Sequence, residues 1–273
     1  HHGVFKESTS TKLRIVFNAS MKDPRGVTLN DCLHVGPSLH QDLTSVLIRF
    51  RRHSVALSSD ISKMFLQLRV HSSHQNYLRF LWRTPGSNEP IKVMRFVVLP
   101  FGLGPAPYLA IQVINHLIAK YEEEHPEIAK LLKESLYVDD ALLGAESLDA
   151  AVETQVVVDE ILTSGHFRAA KWLSSHPHAL AHVPDEDQTL RTVPLELAEK
   201  NLLISPESII TTLGLVWIAS RDVFAYKGID GISTPCAVET MRSAASKTGR
   251  CFDPVGFVAP YVLVGKLILQ RCW

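Results

Sequence analysis

Apolar and polar positions change period repeatedly along the chain, and the changes lay out its elements. Lys12 to Phe17 alternates charge with bulk, which predicts a strand with one basic face. From Asp23-Pro24-Arg25-Gly26 to Val35-Gly36-Pro37-Ser38 the chain is rich in Gly, Pro and Asn and reads as loop. Leu43, Val46, Leu47 and Phe50 keep helical spacing, so a helix is expected over about 40–51, with Ser38 as its cap. Val55-Ala56-Leu57 is a short strand running into Ser58-Ser59-Asp60. Tyr77 to Trp82 and Ile91 to Val98 read as two strands joined by the turn Pro85-Gly86-Ser87-Asn88. Pro105 and Pro107 belong in the first turn of a helix that continues through Ile111, Ile114, His116 and Leu117. A helix over 127–134 leads into a hairpin of Leu136-Tyr137-Val138 with Ala141-Leu142-Leu143-Gly144, and Ser147 caps a third helix over 148–163. Residues 176–207 are expected to be an exposed connection, and Thr211 to Trp217 a strand. The end, from about 235, reads as two helices broken by Asp253-Pro254-Val255-Gly256. Strands and helices intermix without a βαβ rhythm, which favours an α+β fold.

Composition narrows the class. A chain of 273 residues with 46% apolar content can bury a substantial core. No apolar run approaches the roughly 18 residues of a membrane span, so no membrane partner is expected. The four cysteines (Cys32, Cys236, Cys251 and Cys272) lack CxxC spacing, which favours neither zinc nor a disulfide framework and points to a reducing compartment. The opening residues carry no starting Met or signal-peptide pattern and look like a cut inside a longer polypeptide, or a tag remnant. Net charge is zero, yet residues 1–100 hold 14 Lys and Arg against 6 Asp and Glu, whereas residues 121–210 hold 6 against 18. A basic lobe and an acidic lobe suit a protein that grips phosphates with one part and metal ions with another; charges sorted onto solvated faces would look the same.

The candidate chemistry sits in the acidic part. Asp139 and Asp140 fall at a hairpin tip, where two negative charges side by side invite a multivalent cation. By itself such a pair is more often a solvated loop tip. Asp60 supplies a third carboxylate at the end of a buried-looking strand, where a charge is costly unless paired or metal-bound; a helix cap for residues 61–67 is the other reading. Three carboxylates are the equipment of a two-metal phosphoryl-transfer site. Leu99-Pro100-Phe101-Gly102-Leu103-Gly104-Pro105-Ala106-Pro107 is a bend opening a helix, able to approach a phosphate closely but lacking the dinucleotide-binding glycine pattern.

In order, Ser59-Asp60-Ile61-Ser62-Lys63-Met64-Phe65, the 99–107 bend and Tyr137-Val138-Asp139-Asp140 resemble the successive palm motifs of reverse transcriptases. Lys12 to Phe17 is similar to their fingers strand, Gly165 to Trp172 to the following palm segment, and Thr212 to Trp217 to the hairpin that grips the primer. The wording is closest to the BEL/Pao class of long-terminal-repeat retrotransposons, through Leu29-Asn30-Asp31, Val35-Gly36-Pro37, Arg49-Phe50-Arg51 and Cys251-Phe252-Asp253-Pro254-Val255-Gly256. The resemblance implies that Asp60 and Asp139 bind two Mg²⁺ ions, or Mn²⁺, and that Asp140 completes the cluster. It implies that Arg14 holds the nucleotide triphosphate and that Phe65 is an aromatic gate excluding a 2′-hydroxyl. Phe101 and Gly102 would lie beside the nucleotide, and Tyr137 and Val138 near the primer end. Lys171 matches a lysine thought to protonate the departing pyrophosphate; a surface lysine is the plain alternative.

Departures from the family pattern are Asn18 where the class carries Asp, Phe101 where retroviral enzymes carry Gln, and Met241 within a basic stretch. His176, His178 and His182 read as a solvated segment rather than a metal site, and Trp217 and Trp273 as packing residues. No aspartic-protease motif and no separate RNase H carboxylate cluster is present in the sequence. The expectation is therefore a right-hand polymerase with an antiparallel palm sheet packed on helices: fingers over 1–36 and 68–104, palm over 37–67 and 105–225, and a partial thumb over 226–273. The implied function is RNA-directed DNA polymerase, part of a retrotransposon polyprotein, with a primed RNA or DNA template, dNTPs and other polyprotein segments as partners. The implied location is the cytoplasm, within virus-like particles. The alternatives are a degenerate element that binds nucleic acid without polymerising, a metal-dependent nuclease or phosphatase, and a structural module of the particle.

Overall fold

The computed structural model describes residues 2–5, 13–84, 86–189, 209–226, 240–249 and 252–271. Its elements begin with β1 (His2–Phe5), β2 (Leu13–Val16), α1 (Leu43–Phe50), β3 (Val55–Ile61) and α2 (Met64–Gln67). Next come β4 (Arg79–Trp82), β5 (Lys92–Arg95), α3 (Ala106–Ala119), α4 (Pro126–Ser135), β6 (Leu136–Tyr137), β7 (Asp140–Ala145), α5 (Leu148–Ser164) and β8 (Ala169–Ser174). The last are β9 (Ile209–Thr212), β10 (Leu215–Ile218), β11 (Val223–Ala225), α6 (Met241–Gly249) and α7 (Ala259–Arg271). Two compact units emerge: residues 1–40, 62–121 and 161–168, and residues 41–61, 122–160 and 169–273. No described helix is long and apolar enough to cross a membrane.

The first unit holds two antiparallel pairs, β1 with β2 and β4 with β5. Phe17 meets Phe80 and Phe96 edge-on, with ring centroids 5.1 and 4.5 Å apart. Beside them Leu78, Leu99, Leu103 and Ala106 form a small core. Proline at the start of α3 is tolerated because first-turn amides have no helical acceptor.

In the second unit a four-stranded antiparallel sheet runs in the order β6-β7-β3-β8. β3 is longer than the apolar run Val55–Leu57 predicts: the small residues Ser58 and Ser59 are buried with it and carry the strand through Asp60 to Ile61. Asp60 is therefore a strand residue, not a cap. α1 packs Val46, Leu47 and Phe50 against Ala56 of β3 and Leu142 of β7. Its cap is Asp42, which accepts from the Ser45 amide at 2.8 Å; the expected Ser38 lies four residues upstream. Ser147 caps α5 as predicted, accepting from the Ala150 amide at 3.2 Å.

The segment after β8 differs from the expected exposed connection. Ala179, Leu180 and Val183 are buried, Gln188 pairs with Trp172, and His182 is bonded to Gln155 at 2.6 Å. Residues 190–208 of that connection lie outside the described residues, as does Trp273. Thr211 to Trp217 is not one strand but the β9–β10 hairpin, turning at Leu213 (φ 48°) and Gly214 (φ 85°). Positive φ at both central residues matches the right-handed twist of the paired strands.

Trp217 anchors this hairpin. It is fully buried, meets Phe50 edge-on at 4.9 Å, and donates its indole N–H to Asp222 at 2.9 Å. Asp222 also receives the Arg51 guanidinium, whose Nη2 reaches the second carboxylate oxygen at 2.8 Å. A planar fork on a carboxylate fixes direction as well as distance. Trp217→Ala should cost about 3–5 kcal/mol in urea unfolding, the usual range for an aromatic core truncation. A loss below about 1 kcal/mol would show that the hairpin is held elsewhere.

Candidate active site

Asp60 and Asp140 face each other directly in the β3–β7 register. Opposed residues of an antiparallel pair have Cα atoms roughly 4.5–5.5 Å apart, so two carboxylates start from neighbouring positions. The hairpin between β6 and β7 pairs Tyr137 with Asp140, leaving Val138 and Asp139 as a two-residue turn. Val138 has φ 57°. Left-handed backbone is rare for a β-branched residue and costs on the order of 1–3 kcal/mol, so the surroundings must hold it. Part of that hold is visible: the Ile61 amide donates to the Asp139 carbonyl at 2.7 Å, tying the tip to the end of β3.

Lys171 arrives from the other side. The β3–β8 register shifts between Ser58 and Asp60, and Lys171, within the shift, has φ 57°. A bulge re-aims the side chain it displaces, and Lys171 donates its ammonium to Asp60 Oδ2. Lys171 is thus a mostly exposed lysine that is also ion-paired with one of the carboxylates. Burial raises the Asp140 pKa to about 7, helped by the negative charges of Asp139 and Asp60 and opposed by Lys171. Asp139 is raised in the same way, first by burial and then by Asp60, although its residue stays exposed at the tip.

The structure thus gathers Asp60, Asp139, Asp140 and Lys171, with Tyr137 and Val138 in the same turn. Among the described residues no group of three or more His, Cys, Asp or Glu side chains is arranged so that it could hold a metal ion. By residue type alone, three carboxylates suit a hard divalent cation. Its ligands would be carboxylate oxygens, and such a cation would relieve the repulsion that adds to burial in raising Asp140 to about 7.

Phe65, Phe101 and Gly102 come together in the first unit. The Phe65 and Phe101 rings meet edge-on with centroids 5.2 Å apart. Gly102 has φ 95°, and a Cβ there would lie 2.7 Å from the Phe17 carbonyl oxygen, so only glycine fits. Asn30 brackets this bend: its amide N–H donates to the Gly102 carbonyl at 3.1 Å, and its Oδ1 accepts from the Gly104 amide at 2.9 Å. Sequence reading marked Leu29-Asn30-Asp31 only as a family-like motif within a loop, because a contact across 72 positions leaves no local signal of its partner. Arg14 lies in β2, paired with Val4; its side chain is outside the described residues. Asn18, where an acidic partner was expected, accepts from the Ser20 amide at 3.1 Å and stiffens its own turn.

An antiparallel sheet that presents an acidic turn beside an acidic strand end defines a palm-type polymerase core. The chain belongs to the reverse transcriptase family: residues 18–171 match the family model described as reverse transcriptase (RNA-dependent DNA polymerase). Residues 240–273 match a second, described as the Pao retrotransposon-like RNaseH-like domain, so the pair of matches is that of a BEL/Pao-class reverse transcriptase. Members of the family are generally dependent on divalent metal. No curated protein matches the chain.

Among solved structures, a foamy viral protease-reverse transcriptase in complex with double-stranded DNA is similar at TM-score 0.56 and 17% identity, over 90% of this chain and 34% of that one. The foamy viral protease-reverse transcriptase with RNA/DNA hybrid gives 0.56 and 14%, over 96% and 29%. A further complex with double-stranded DNA gives 0.54 and 16%, over 90% and 40%. At such identity the likeness is one of fold, the right-hand α+β architecture. The chain spans about a third of the length of these proteins.

The raised Asp140 pKa has a consequence for stability. Unfolded, the group ionises near 3.8; folded, at about 7. Between those values the fold holds a proton that the unfolded chain has released, so this contribution favours folding at the acid end and is lost as pH rises through 7. Relative to Asp140→Asn, metal-free wild-type protein should lose a few degrees of Tm between pH 5 and pH 8. Equal pH slopes for the two proteins would show that Asp140 does not carry the shift.

Proposed function

We propose that this chain is the catalytic core of an RNA-directed DNA polymerase, adding deoxynucleotides to a primer 3′-hydroxyl on an RNA or DNA template and releasing pyrophosphate. The observation that carries this reading is the pairing of Asp60 with Asp140 across the sheet, with the Asp139 turn bonded to the end of β3. Asp60 and Asp139 would hold two Mg²⁺ ions, with Asp140 completing the cluster; Mn²⁺ would serve as well. When bound, such ions lower the pKa of the attacking hydroxyl and neutralise charge on the leaving pyrophosphate. The chain's own part is orientation: the strained Val138 turn aims Asp139, and the β3–β7 register aims Asp60 and Asp140.

Lys171 already sits on Asp60 and is the proton source for the departing pyrophosphate in this reading. Arg14 holds the triphosphate. Phe65 stands under the sugar as a rigid gate, braced by Phe101, and the tight Gly102 bend borders the nucleotide. Tyr137 and Val138 meet the primer end, and the β9–β10 hairpin grips the primer strand. Fingers over 1–36 and 68–104, palm over 37–67 and 105–225 and a partial thumb beyond are part of the same proposal. So are a parent retrotransposon polyprotein and a cytoplasmic virus-like particle as its setting. The foamy viral structures support nucleic-acid partners, since they are complexes with DNA and with RNA/DNA hybrid.

The test is dNTP incorporation on an oligo(dT)-primed RNA template with Mg²⁺ or Mn²⁺. Asp139→Asn should lower extension at least about a thousandfold while primer–template binding stays within about twofold, because the lost group acts on the transition state rather than on binding. Extension that survives this change at ordinary Mg²⁺ would sink the metal assignment. Hydrolysis of nucleic acid without a template would favour the nuclease reading instead. Phe65→Ala should admit ribonucleotides, raising their kcat/KM relative to deoxynucleotides by about tenfold or more. Unchanged sugar selectivity would exclude the gate.

A further inference from the structure

The β9–β10 hairpin is clasped from outside by the segment that follows it. At its tip, Gly214 lies against the ring of Phe252; a Cβ on Gly214 would stand 2.6 Å from two ring carbons. Phe252 is 51% exposed, so it is no core residue, yet the turn behind it is firmly tied. Asp253 accepts from the Tyr226 hydroxyl at 3.1 Å and from the Phe257 and Val258 amides at 3.0 and 2.8 Å. Thr44, at the start of α1, donates its hydroxyl to the Pro254 carbonyl at 2.8 Å, and Val255 packs on the cluster around Phe50 and Trp217. The same α1 carries Phe50 beneath Trp217 and ends at Arg51, which holds Asp222. One helix therefore fixes both the base of the hairpin and the turn that covers its tip.

From this we infer that Phe252 is a positioning residue for the primer hairpin, and that the Asp253–Gly256 turn is the joint through which the segment after β11, the partial thumb of the reading above, holds that hairpin against the palm. The turn lies inside the stretch matched by the RNaseH-like family model and leads directly into α7. Three contacts fasten the turn to α1, the hairpin core and the residue after β11, and Phe252, just before it, meets the hairpin tip. A side chain half in water but pressed onto a glycine backbone restricts where the tip can lie. Strain or loss at this point changes the seat offered to the primer, not the carboxylates that carry the chemistry. The inference rests on the polymerase reading above.

The experiment uses the full chain and steady-state extension on a primed RNA template. Phe252→Ala should raise KM for primer–template about tenfold, with kcat and KM for dNTP within about twofold, the signature of an interaction that is equal in ground and transition states. Gly214→Asn, a residue that tolerates left-handed backbone, places a Cβ where the ring lies and should raise the same KM. In the double variant Phe252→Ala/Gly214→Asn the side chain at 214 meets no ring, so the two effects should not add. A normal primer–template KM in Phe252→Ala, or fully additive effects in the double variant, would overturn the positioning role while leaving the polymerase reading intact. Wild-type protein that extends no primer would overturn that reading, and the positioning role with it.

Discussion

Two carboxylates opposed across an antiparallel pair are the constraint from which this molecule is built. Asp60 and Asp140 occupy facing positions, and Asp139 adds a third negative charge one residue away. Partial burial deprives them of solvent, and like charges at that spacing repel, which is why the Asp140 pKa climbs to about 7. The Lys171 ammonium offsets only part of this repulsion. The arrangement persists because the elements around it are over-determined: β3 is buried along almost its whole length, β7 is buried from Ala141 to Ala145, and α1 presses Val46, Leu47 and Phe50 against them.

The same packing supports strain at the two places where the site needs unusual backbone. Val138 and Lys171 both adopt left-handed φ, one to turn the hairpin so that Asp139 stands at its tip, the other to swing an ammonium onto Asp60. A β-branched residue and a strand lysine would relax elsewhere. Here each is bracketed by ladder hydrogen bonds on both sides, so local strain is stored without local disorder. Beyond the sheet, Arg51, Asp222 and Trp217 extend the same frame to the β9–β10 hairpin, with α1 as the common support.

Much of this was legible in the chain. Helical spacing of Leu43, Val46, Leu47 and Phe50, prolines confined to the first turn of α3, and Ser147 before α5 each express a local rule, and each element formed where that rule places it. The ordered motifs around Asp60 and Asp139 also pointed to carboxylates that the sheet brings side by side. The failures are equally physical. Ser58 and Ser59 look polar but are small enough to enter a sheet interior, so the strand ran four residues further than its apolar run. The cap of α1 went to Asp42 because helix starts are decided by geometry within one turn. Leu213-Gly214 was missed as a turn because leucine is not a residue that announces left-handed backbone.

Sequence alone determined which residue types were available and in what order: three carboxylates, an aromatic five positions after the first, a glycine-rich bend and an acidic hairpin. Those follow from local spacing and from recognisable wording. Only the tertiary structure decided that Asp60 faces Asp140, that a register shift delivers Lys171 to it, that Asn30 braces a bend 72 residues away, and that Phe252 covers Gly214. Such contacts join residues far apart in the chain, and they depend on strand register and on packing, which no short stretch of sequence encodes by itself.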